Sequence, residues 1–144
     1  MDERIAVAPR DRGAPVREED AHRVGVLRRI AAARLRLVGL ETLIDPACLV
    51  VSELVTNALR HSGTREIRLV LGVRDGFLIM VVIDGMPREA VPLAPDASAE
   101  SGRGLLMVQA IAEEHNGSWG TGDGGAQTWC RLVVPAEVSA GESP

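Results

Sequence analysis

Apolar positions with helical spacing dominate the first part of the chain. From about Glu18 to Leu40 they recur three and four residues apart with arginines between them, which predicts an amphipathic helix that ends near Gly39. Asp45-Pro46 indicates the start of a second helix, because aspartate caps a helix and proline fits its first position. The second segment is apolar almost all round, as is typical of a helix buried on several sides.

Strand-like patterns follow the second helix. Residues 67–73 alternate loosely between apolar and polar, and residues 77–83 are continuously apolar. Asp75-Gly76 between them favours a tight hairpin, because both residues tolerate a positive φ. Residues 86–101 show no periodicity and include three prolines, which predicts a long loop that is either functional or disordered.

A third helix and two further strands complete the pattern. The run LLMVQAIAEEHNG is amphipathic and closes at Asn116-Gly117, Trp119 opens a short strand, and residues 127–134 form the last strand. The order is therefore helix, helix, two strands, loop, helix, two strands. This order predicts an α+β fold, a two-layer α/β sandwich in which helices cover one face of a mixed, mostly antiparallel sheet.

The composition supports one globular domain and excludes several chemistries. The chain has 144 residues, of which 46% are hydrophobic, so we expect a packed domain over residues 18–135 with flexible tails at 1–17 and 136–144. All 16 basic residues are arginine, and tyrosine is absent. Without lysine, the chain cannot form a Walker-type phosphate loop, a protein-kinase site or a Schiff base.

Charge and hydropathy limit the partners. The net charge is −4, the isoelectric point is about 5.4 and aromatic residues make up 2%, so the chain has neither the basic excess nor the stacking side chains typical of nucleic-acid binding. The longest fully apolar run has seven residues, and the first residues lack the apolar region of a signal peptide. We therefore expect a cytoplasmic protein that binds no membrane and keeps Cys48 and Cys130 as reduced, buried thiols.

Three polar residues share one face of the apolar second helix. Glu53, Asn57 and His61 are spaced four residues apart, so they line either a solvated face or a ligand cleft. A glutamate in a cleft can act as a base. An asparagine side-chain oxygen suits Mg²⁺, which prefers oxygen ligands. His61 either joins them or caps the helix end, where a cation is favoured.

Other candidate residues lie at the ends of elements. Asp84 follows the most apolar strand, where its carboxylate either accepts a hydrogen bond from a purine amino group or forms a local turn before Gly85. The stretch Gly102-Arg103-Gly104 precedes the third helix, so it is either a plain loop or a site where backbone amides bind an anion. Thr128 opens the last strand and has no distinguishing feature of its own.

The order of these motifs is more informative than any one of them. The runs VSELVTNALRH, VIDG, SGRGLLMVQAIAEEH and GGAQTWCRL together resemble the histidine-kinase-like (GHKL) ATP-binding domain. Within that superfamily, the chain is similar to the stand-alone anti-sigma-factor type of serine kinase domain found in actinobacteria. The resemblance covers about residues 18–135, and its most specific parts are the E-x-x-x-N box and the G-R-G-L-x-x-V stretch.

The resemblance implies a role for each candidate. It makes Glu53 the catalytic base and Asn57 the Mg²⁺ ligand of an ATP site, with Asp84 and the adjoining Gly85 on the adenine and Thr128 supporting that pocket through water. Gly102, Arg103 and Gly104 would contact the phosphates, and residues 86–101 would form a lid. The family's D-x-G-x-G box departs here to Asp84-Gly85-Met86-Pro87-Arg88, with arginine in place of the second glycine.

Three functions remain open on the sequence. The first is an ATP- and Mg²⁺-dependent regulator that phosphorylates a partner on serine, the partner being a sigma factor or an anti-anti-sigma protein. The second is an interaction module that keeps the fold and has lost turnover, as the altered box suggests, and the third is a small ATPase of other purpose. The first helix, with Arg23, Arg28, Arg29 and Arg36, is either a solvated surface or a docking or homodimer face.

Overall fold

Five strands and three α-helices form the part of the chain that the computed structural model describes, residues 1–7, 18–61, 66–84 and 99–135. The backbone alone is described at residue 61 and at residues 99–103. In chain order the elements are β1 Asp2–Ala6, α1 Glu18–Leu37, α2 Ile44–His61, β2 Glu66–Arg74, β3 Phe77–Ile83, α3 Ala99–Glu114, β4 Ser118–Gly122 and β5 Gln127–Val133, with 3₁₀ turns at Glu41–Leu43 and Asp123–Gly125.

The strands form one sheet in the order β1-β2-β3-β5-β4, and each neighbouring pair is antiparallel. The predicted hairpin joins β2 to β3 through Asp75 and Gly76, which both adopt positive φ values, 53° and 80°. Two residues with positive φ give the turn whose twist matches that of the flanking strands. The continuously apolar β3 lies at the centre of the sheet, where a strand is paired on both sides.

The helices form one layer on a single face of the sheet, with α2 and α3 against the strands and α1 against α2, which confirms the predicted two-layer α+β sandwich. Alternate residues of β2 and β3 are buried under the helices, and α2 contributes the largest share of buried helical side chains. This helix lies between α1 and α3 and contacts three strands. The apolar core is formed chiefly by Leu27, Leu35, Val50, Val51, Leu54, Val55, Ile67, Leu69, Leu78, Met80, Val108 and Leu132.

Two helices end in the same hydrogen-bonding motif. At the end of α1, Gly39 has a φ of 81° and the Leu40 amide donates to the Leu35 carbonyl oxygen at 2.8 Å, so the predicted end at Gly39 is confirmed. At the end of α3, the Gly117 amide donates to the Ala112 carbonyl oxygen at 2.7 Å. Here Asn116, with a φ of 55°, takes the left-handed position.

The first strand differs from the sequence prediction, which assigned residues 1–17 to a flexible tail. Asp2–Ala6 instead pair with β2 along one edge of the sheet. Two hydrogen bonds from the Arg68 guanidinium to the Asp2 carboxylate, at 2.8 and 2.6 Å, reinforce the pairing. A five-residue edge strand with charged side chains carries little apolar signal, which is why its pattern resembled a tail. Residues 8–17 and 136–144 of the predicted tails lie outside the described residues.

One segment within the described residues, Glu41–Arg60, is long and apolar enough to cross a membrane by length and composition. It is α2 with the preceding turn, and half of it is buried against the rest of the domain. The central helix of a globular core passes the same test, so this segment is weak evidence for a membrane span.

Candidate functional site

Glu53 and Asn57 lie one turn apart on the side of α2 that faces α3. A Cβ atom added at Gly104 of α3 would lie only 2.5 Å from Glu53 Oε2, so the two helices meet directly at the glutamate carboxylate. Asn57 is 6% exposed, whereas Glu53 keeps partial access to solvent. The opposite side of α2 faces α1, where Cys48 Sγ is 3.6 Å from the Arg28 carbonyl oxygen. The polar stripe therefore lies at the α2–α3 boundary.

Asp84 and Thr128 lie beside each other on neighbouring strands of the sheet. Val82 is paired with Thr128, and the Asp84 amide continues the ladder by donating to the Ala126 carbonyl oxygen at 2.9 Å. Because side chains alternate along a strand, Asp84 points to the same face as the buried Val82, toward the helices. Asp84 is 6% exposed and Thr128 is 3% exposed.

Buried polar residues single out this region. Among the described residues, four polar or charged side chains are buried, and three of them are Asn57, Asp84 and Thr128. The fourth, Asp20, lies in the first turn of α1, 3.3 Å from an Arg23 nitrogen. Buried polar groups are normally hydrogen-bonded, which holds their side chains in defined positions. The concentration of such groups here makes this region the candidate site for a polar ligand.

The start of α3 corrects the sequence prediction. The sequence placed Gly102-Arg103-Gly104 in a loop before the helix, but α3 begins at Ala99 and includes all three residues in its first two turns. Ala99-Glu100-Ser101 suits a helical first turn, and glutamate is favoured at the positive end of the helix dipole. The amides that lack partners within a helix are those of the N-cap and the first three helical residues, so the amides of Gly102 and Gly104 are both engaged within α3.

Gly104 has a packing role that the motif did not indicate. Its missing side chain lets α3 approach the Glu53 carboxylate. The sequence signal for this role was a glycine within an otherwise helical segment. Because glycine weakens a helix, its presence there usually has a packing or functional reason. The phosphate contacts of Gly102, Arg103 and Gly104 remain predictions. Gly85 and residues 86–98 of the predicted lid lie outside the described residues, as does the side chain of His61.

Neither cysteine is suited to act as a nucleophile. Burial raises the pKa of the Cys130 thiol to about 12, and Cys130 is fully enclosed. Burial also raises the pKa of the half-buried Cys48. Since the thiolate is the reactive form, both residues are protonated and unreactive near neutral pH.

Two cavities elsewhere do not coincide with these residues. One of about 510 Å³ lies between the end of α1 and the β2–β3 hairpin, and one of about 410 Å³ lies between α1 and the start of α2. Within the described residues, no three histidine, cysteine or acidic side chains form a metal-binding group. A Mg²⁺ ion at the α2–α3 boundary would therefore depend on Asn57, with its remaining ligands from the nucleotide and water.

Comparison with known proteins places the chain in a family. Residues 43–138 match the family described as histidine kinase-, DNA gyrase B-, and HSP90-like ATPase. Comparison with curated protein sequences gave no match. Among solved structures, 22 chains match.

One matching structure is the histidine kinase AdeS of Acinetobacter baumannii, with 20% sequence identity and a TM-score of 0.48. The similarity covers 63% of this chain and 47% of that one, so this chain spans about half the length of the AdeS structure. The family match, in contrast, spans two thirds of the 144 residues and includes α2, β3, α3 and β5. The chain therefore belongs to the family of histidine kinase-, DNA gyrase B- and HSP90-like ATPases.

Proposed function

We propose that this chain binds Mg-ATP between α2, α3 and the sheet and phosphorylates a partner protein on serine, as a cytoplasmic regulator of the anti-sigma type. One observation supports the site above all: three of the four buried polar side chains in the described residues are those that the family resemblance assigns to the nucleotide. Membership of an ATPase family supports the choice of ligand. The partner we propose is a sigma factor or an anti-anti-sigma protein.

The residues present fit this ligand. The Asp84 carboxylate is an acceptor for a purine amino group, and the Thr128 hydroxyl beside it is able to bind a bridging water. The Asn57 side-chain oxygen is a hard donor suited to Mg²⁺, and the Glu53 carboxylate lies one turn away on α2. The Glu53 carboxylate lies in the space that Gly104 leaves open. When bound, Mg-ATP supplies the phosphoryl group that is transferred.

In this arrangement the chain's own groups position the reactants and move one proton. Glu53 accepts the proton of the serine hydroxyl at a carboxylate oxygen, which makes the hydroxyl oxygen a better nucleophile. Asn57 and the free amides at the start of α3 are placed to stabilise the negative charge on the transferring phosphoryl group. Because these groups are already oriented, they stabilise the transition state without reorganising. Lysine is not needed for any of these roles.

Nucleotide binding is tested by titrating the full chain with a slowly hydrolysed ATP analogue, with and without Mg²⁺. We expect Asp84→Asn to weaken binding at least about tenfold, because a neutral amide replaces the buried acceptor. The matched control is Asp75→Asn in the exposed β2–β3 turn, which should bind as the parent does. We expect Asn57→Ala to abolish the dependence on Mg²⁺. Equal binding by the Asp84 and Asp75 variants would refute the adenine site.

Phosphoryl transfer is tested with labelled ATP and a candidate anti-anti-sigma protein. We expect label on the partner's serine with the parent chain, and a loss of at least about a hundredfold with Glu53→Gln, which is the scale of general-base catalysis. The Glu53 variant should still bind the ATP analogue. Label that persists at the parent rate in this variant would show that Glu53 is not the base.

A second function is favoured by one feature of the sequence, the departure of Asp84-Gly85-Met86-Pro87-Arg88 from the family box. An interaction module that has lost turnover would bind the partner, with or without nucleotide, and transfer no label. The same two experiments distinguish this module from the kinase.

A further inference from the structure

A cavity of about 510 Å³ lies between the end of α1 and the β2–β3 hairpin. Its lining includes four core leucines, Leu35, Leu40, Leu71 and Leu78, which are each at most 4% exposed. Small-molecule sites in proteins are concave, mostly apolar and about 300–1,000 Å³ in volume. The cavity therefore has the size and the apolar lining of such a site.

The cavity lies where the helical layer leaves the sheet uncovered. α1 ends at Leu37, and the chain turns at Gly39, whose φ is 81°. Val73, on the same side of β2 as the buried Leu71, is 53% exposed, and Val38, next to the helix end, is 50% exposed. Both valines line the cavity. Exposed apolar side chains that gather in one place are typical of a ligand-binding groove.

The charged side chain at this cavity is a cation. Among the described residues that line it, Arg34 carries the only charged side chain, and none is acidic. No carboxylate of the described residues forms a salt bridge with Arg34. A guanidinium presents its donors in a planar fork that fits a carboxylate. Because the protein as a whole has a net charge of −4, this cation at an apolar cavity is a local feature that favours an anion.

A second arginine in the last turn of α1, Arg36, does not line the cavity. A cation in the last turn of a helix interacts favourably with the helix dipole, and this applies equally to both arginines. The dipole therefore explains why arginine occurs in this turn, but not why Arg34 lies at the cavity. Arg36 is thus a matched control for Arg34.

The cavity is remote from the residues proposed to hold the nucleotide. Leu78, near the start of β3, lines the cavity, whereas Asp84 follows the end of the same strand. At about 3.3 Å per residue, the intervening strand separates these two residues by roughly 20 Å. A ligand in the cavity would therefore not contact the adenine.

We propose that this cavity binds a small amphiphilic anion, a carboxylate on an aliphatic chain, with the aliphatic chain against the leucines and the carboxylate on Arg34. Apolar cavities hold water poorly, because water there finds few hydrogen-bond partners, and they take up apolar molecules instead. At about 30 Å³ for each water-sized group, a volume of about 510 Å³ admits a ligand of up to roughly 17 non-hydrogen atoms. A medium-chain fatty acid such as decanoate is within this limit.

The first test is a calorimetric titration of the full protein with decanoate, below the concentration at which decanoate forms micelles. We expect saturable one-to-one binding with a Kd below about 1 mM. The control probe is decyltrimethylammonium, which has the same alkyl chain and the opposite charge. It should bind at least about tenfold more weakly, although the net negative charge of the protein would attract it.

The second test removes the cation. We expect Arg34→Gln to weaken decanoate binding by about threefold to tenfold, because a charge-assisted hydrogen bond is lost, and to leave binding of the ammonium probe no weaker. The matched control is Arg36→Gln, which makes the same change at an exposed position in the same turn. This control should bind decanoate as the parent does.

The third test fills the cavity. We expect Val73→Trp to weaken decanoate binding at least about tenfold, because the larger side chain takes the place of the aliphatic chain. The matched control is Val70→Trp, which makes the same change on the opposite side of β2 and outside the cavity lining. Far-UV circular dichroism should show that both variants are folded, and Val38→Trp is the second filling variant if Val73→Trp is not.

Three results would overturn the proposal. The first is the absence of saturable decanoate binding. The second is equal binding of the two probes, or equal decanoate binding by Arg34→Gln and the parent, which would show that the anion is not recognised. The third is decanoate binding that a folded filling variant does not weaken, which would place the ligand elsewhere. No nucleotide is present in these titrations, so their outcome is independent of the proposed kinase activity.

Discussion

Gly104 occupies a position where helix propensity and packing favour different residues. In a helix interior, alanine is more stable than glycine by about 0.5–1 kcal/mol, yet a Cβ atom here would approach Glu53 Oε2 to 2.5 Å. The obstructing atom is the end of a flexible side chain, so the glutamate can swing aside at little cost in stability. A substitution would therefore change the position of the carboxylate more than it changes the fold.

We expect Gly104→Ala to leave the free energy of unfolding within about 1 kcal/mol of the parent while lowering phosphoryl transfer at least about tenfold, because Glu53 loses its position. The matched control is Gly25→Ala in α1, where the nearest atom to a Cβ, on Arg29, is 3.8 Å away. The control should gain about 0.5–1 kcal/mol and keep full transfer. Urea unfolding and the transfer assay together check both variants, and unchanged transfer by Gly104→Ala would contradict the positioning role.

At the residue scale, the sequence identified the candidate site residues but not their burial or their tertiary contacts. Asp84 and Thr128 were assigned through the family resemblance, and their burial could not be deduced from local pattern because it depends on β3 pairing with β5. The spacing of Glu53 and Asn57 did predict that they share a side of α2. That this side meets α3 at Gly104 is a tertiary contact between residues 51 positions apart, which no periodicity encodes.

At the scale of elements, the connection from α3 to β4 depends on two adjacent residues with separate tasks. The sequence treated Asn116-Gly117 as one helix-ending signal. In the structure, Asn116 is the residue with a positive φ. Gly117 lies where any Cβ atom would collide with the Arg131 carbonyl oxygen of β5. Asparagine tolerates the left-handed conformation, so glycine is needed here for close approach.

We expect Gly117→Ala to lower the free energy of unfolding by roughly 2–3 kcal/mol, because the obstructing atom belongs to the backbone of a paired strand and cannot rotate away. The matched control is Gly72→Ala in β2, where nothing lies within 4 Å of a Cβ. That change should be neutral or stabilise by up to about 1 kcal/mol. Denaturant unfolding checks the pair, and equal stabilities would show that the α3–β5 contact can relax.

Element prediction succeeded where the apolar signal was strong. Residues 77–83 were predicted as a strand and form β3 with the same bounds, because seven consecutive apolar residues next to Asp-Gly leave few alternatives. The strand Asp2–Ala6 was missed because its stability comes from Arg68 and the ladder with β2, both distant in sequence. The start of α3 was misplaced because glycines near a helix end fit a loop as well as a first turn.

For the molecule as a whole, the absence of lysine and tyrosine simplifies its response to base. Between about pH 9 and pH 12 the ordinary titrating side chains are lysine, tyrosine and cysteine, and this chain has only Cys48 and Cys130. Burial raises the pKa of Cys130 to about 12 in the folded state. The folded protein therefore holds a proton that the unfolded chain loses near pH 9, so stability is full below that pH and falls as pH rises toward 12.

We expect the free energy of unfolding to fall above about pH 9 by up to about 1.4 kcal/mol per pH unit for Cys130, with a further contribution from Cys48. Cys130→Ala should be less stable near pH 8 and should show a shallower decline above pH 9. Urea unfolding with a reductant, at a series of pH values up to 11, measures both slopes. Identical slopes would show that Cys130 does not carry the pH dependence.

The sheet order has a consequence for how the molecule opens. β1 is bonded to one neighbour and joins the helical layer through Arg23, which donates to the Ala6 carbonyl oxygen, whereas β3 and β5 are each bonded on both sides. At the other edge β4 is likewise bonded to one neighbour only. Local opening with a low free-energy cost therefore starts at the two edge strands, and backbone amides there exchange with solvent first. Asp84 directly follows β3 and Thr128 belongs to β5, so both lie on strands that open later. The molecule can lose an edge strand transiently while the residues proposed to hold the adenine keep their arrangement.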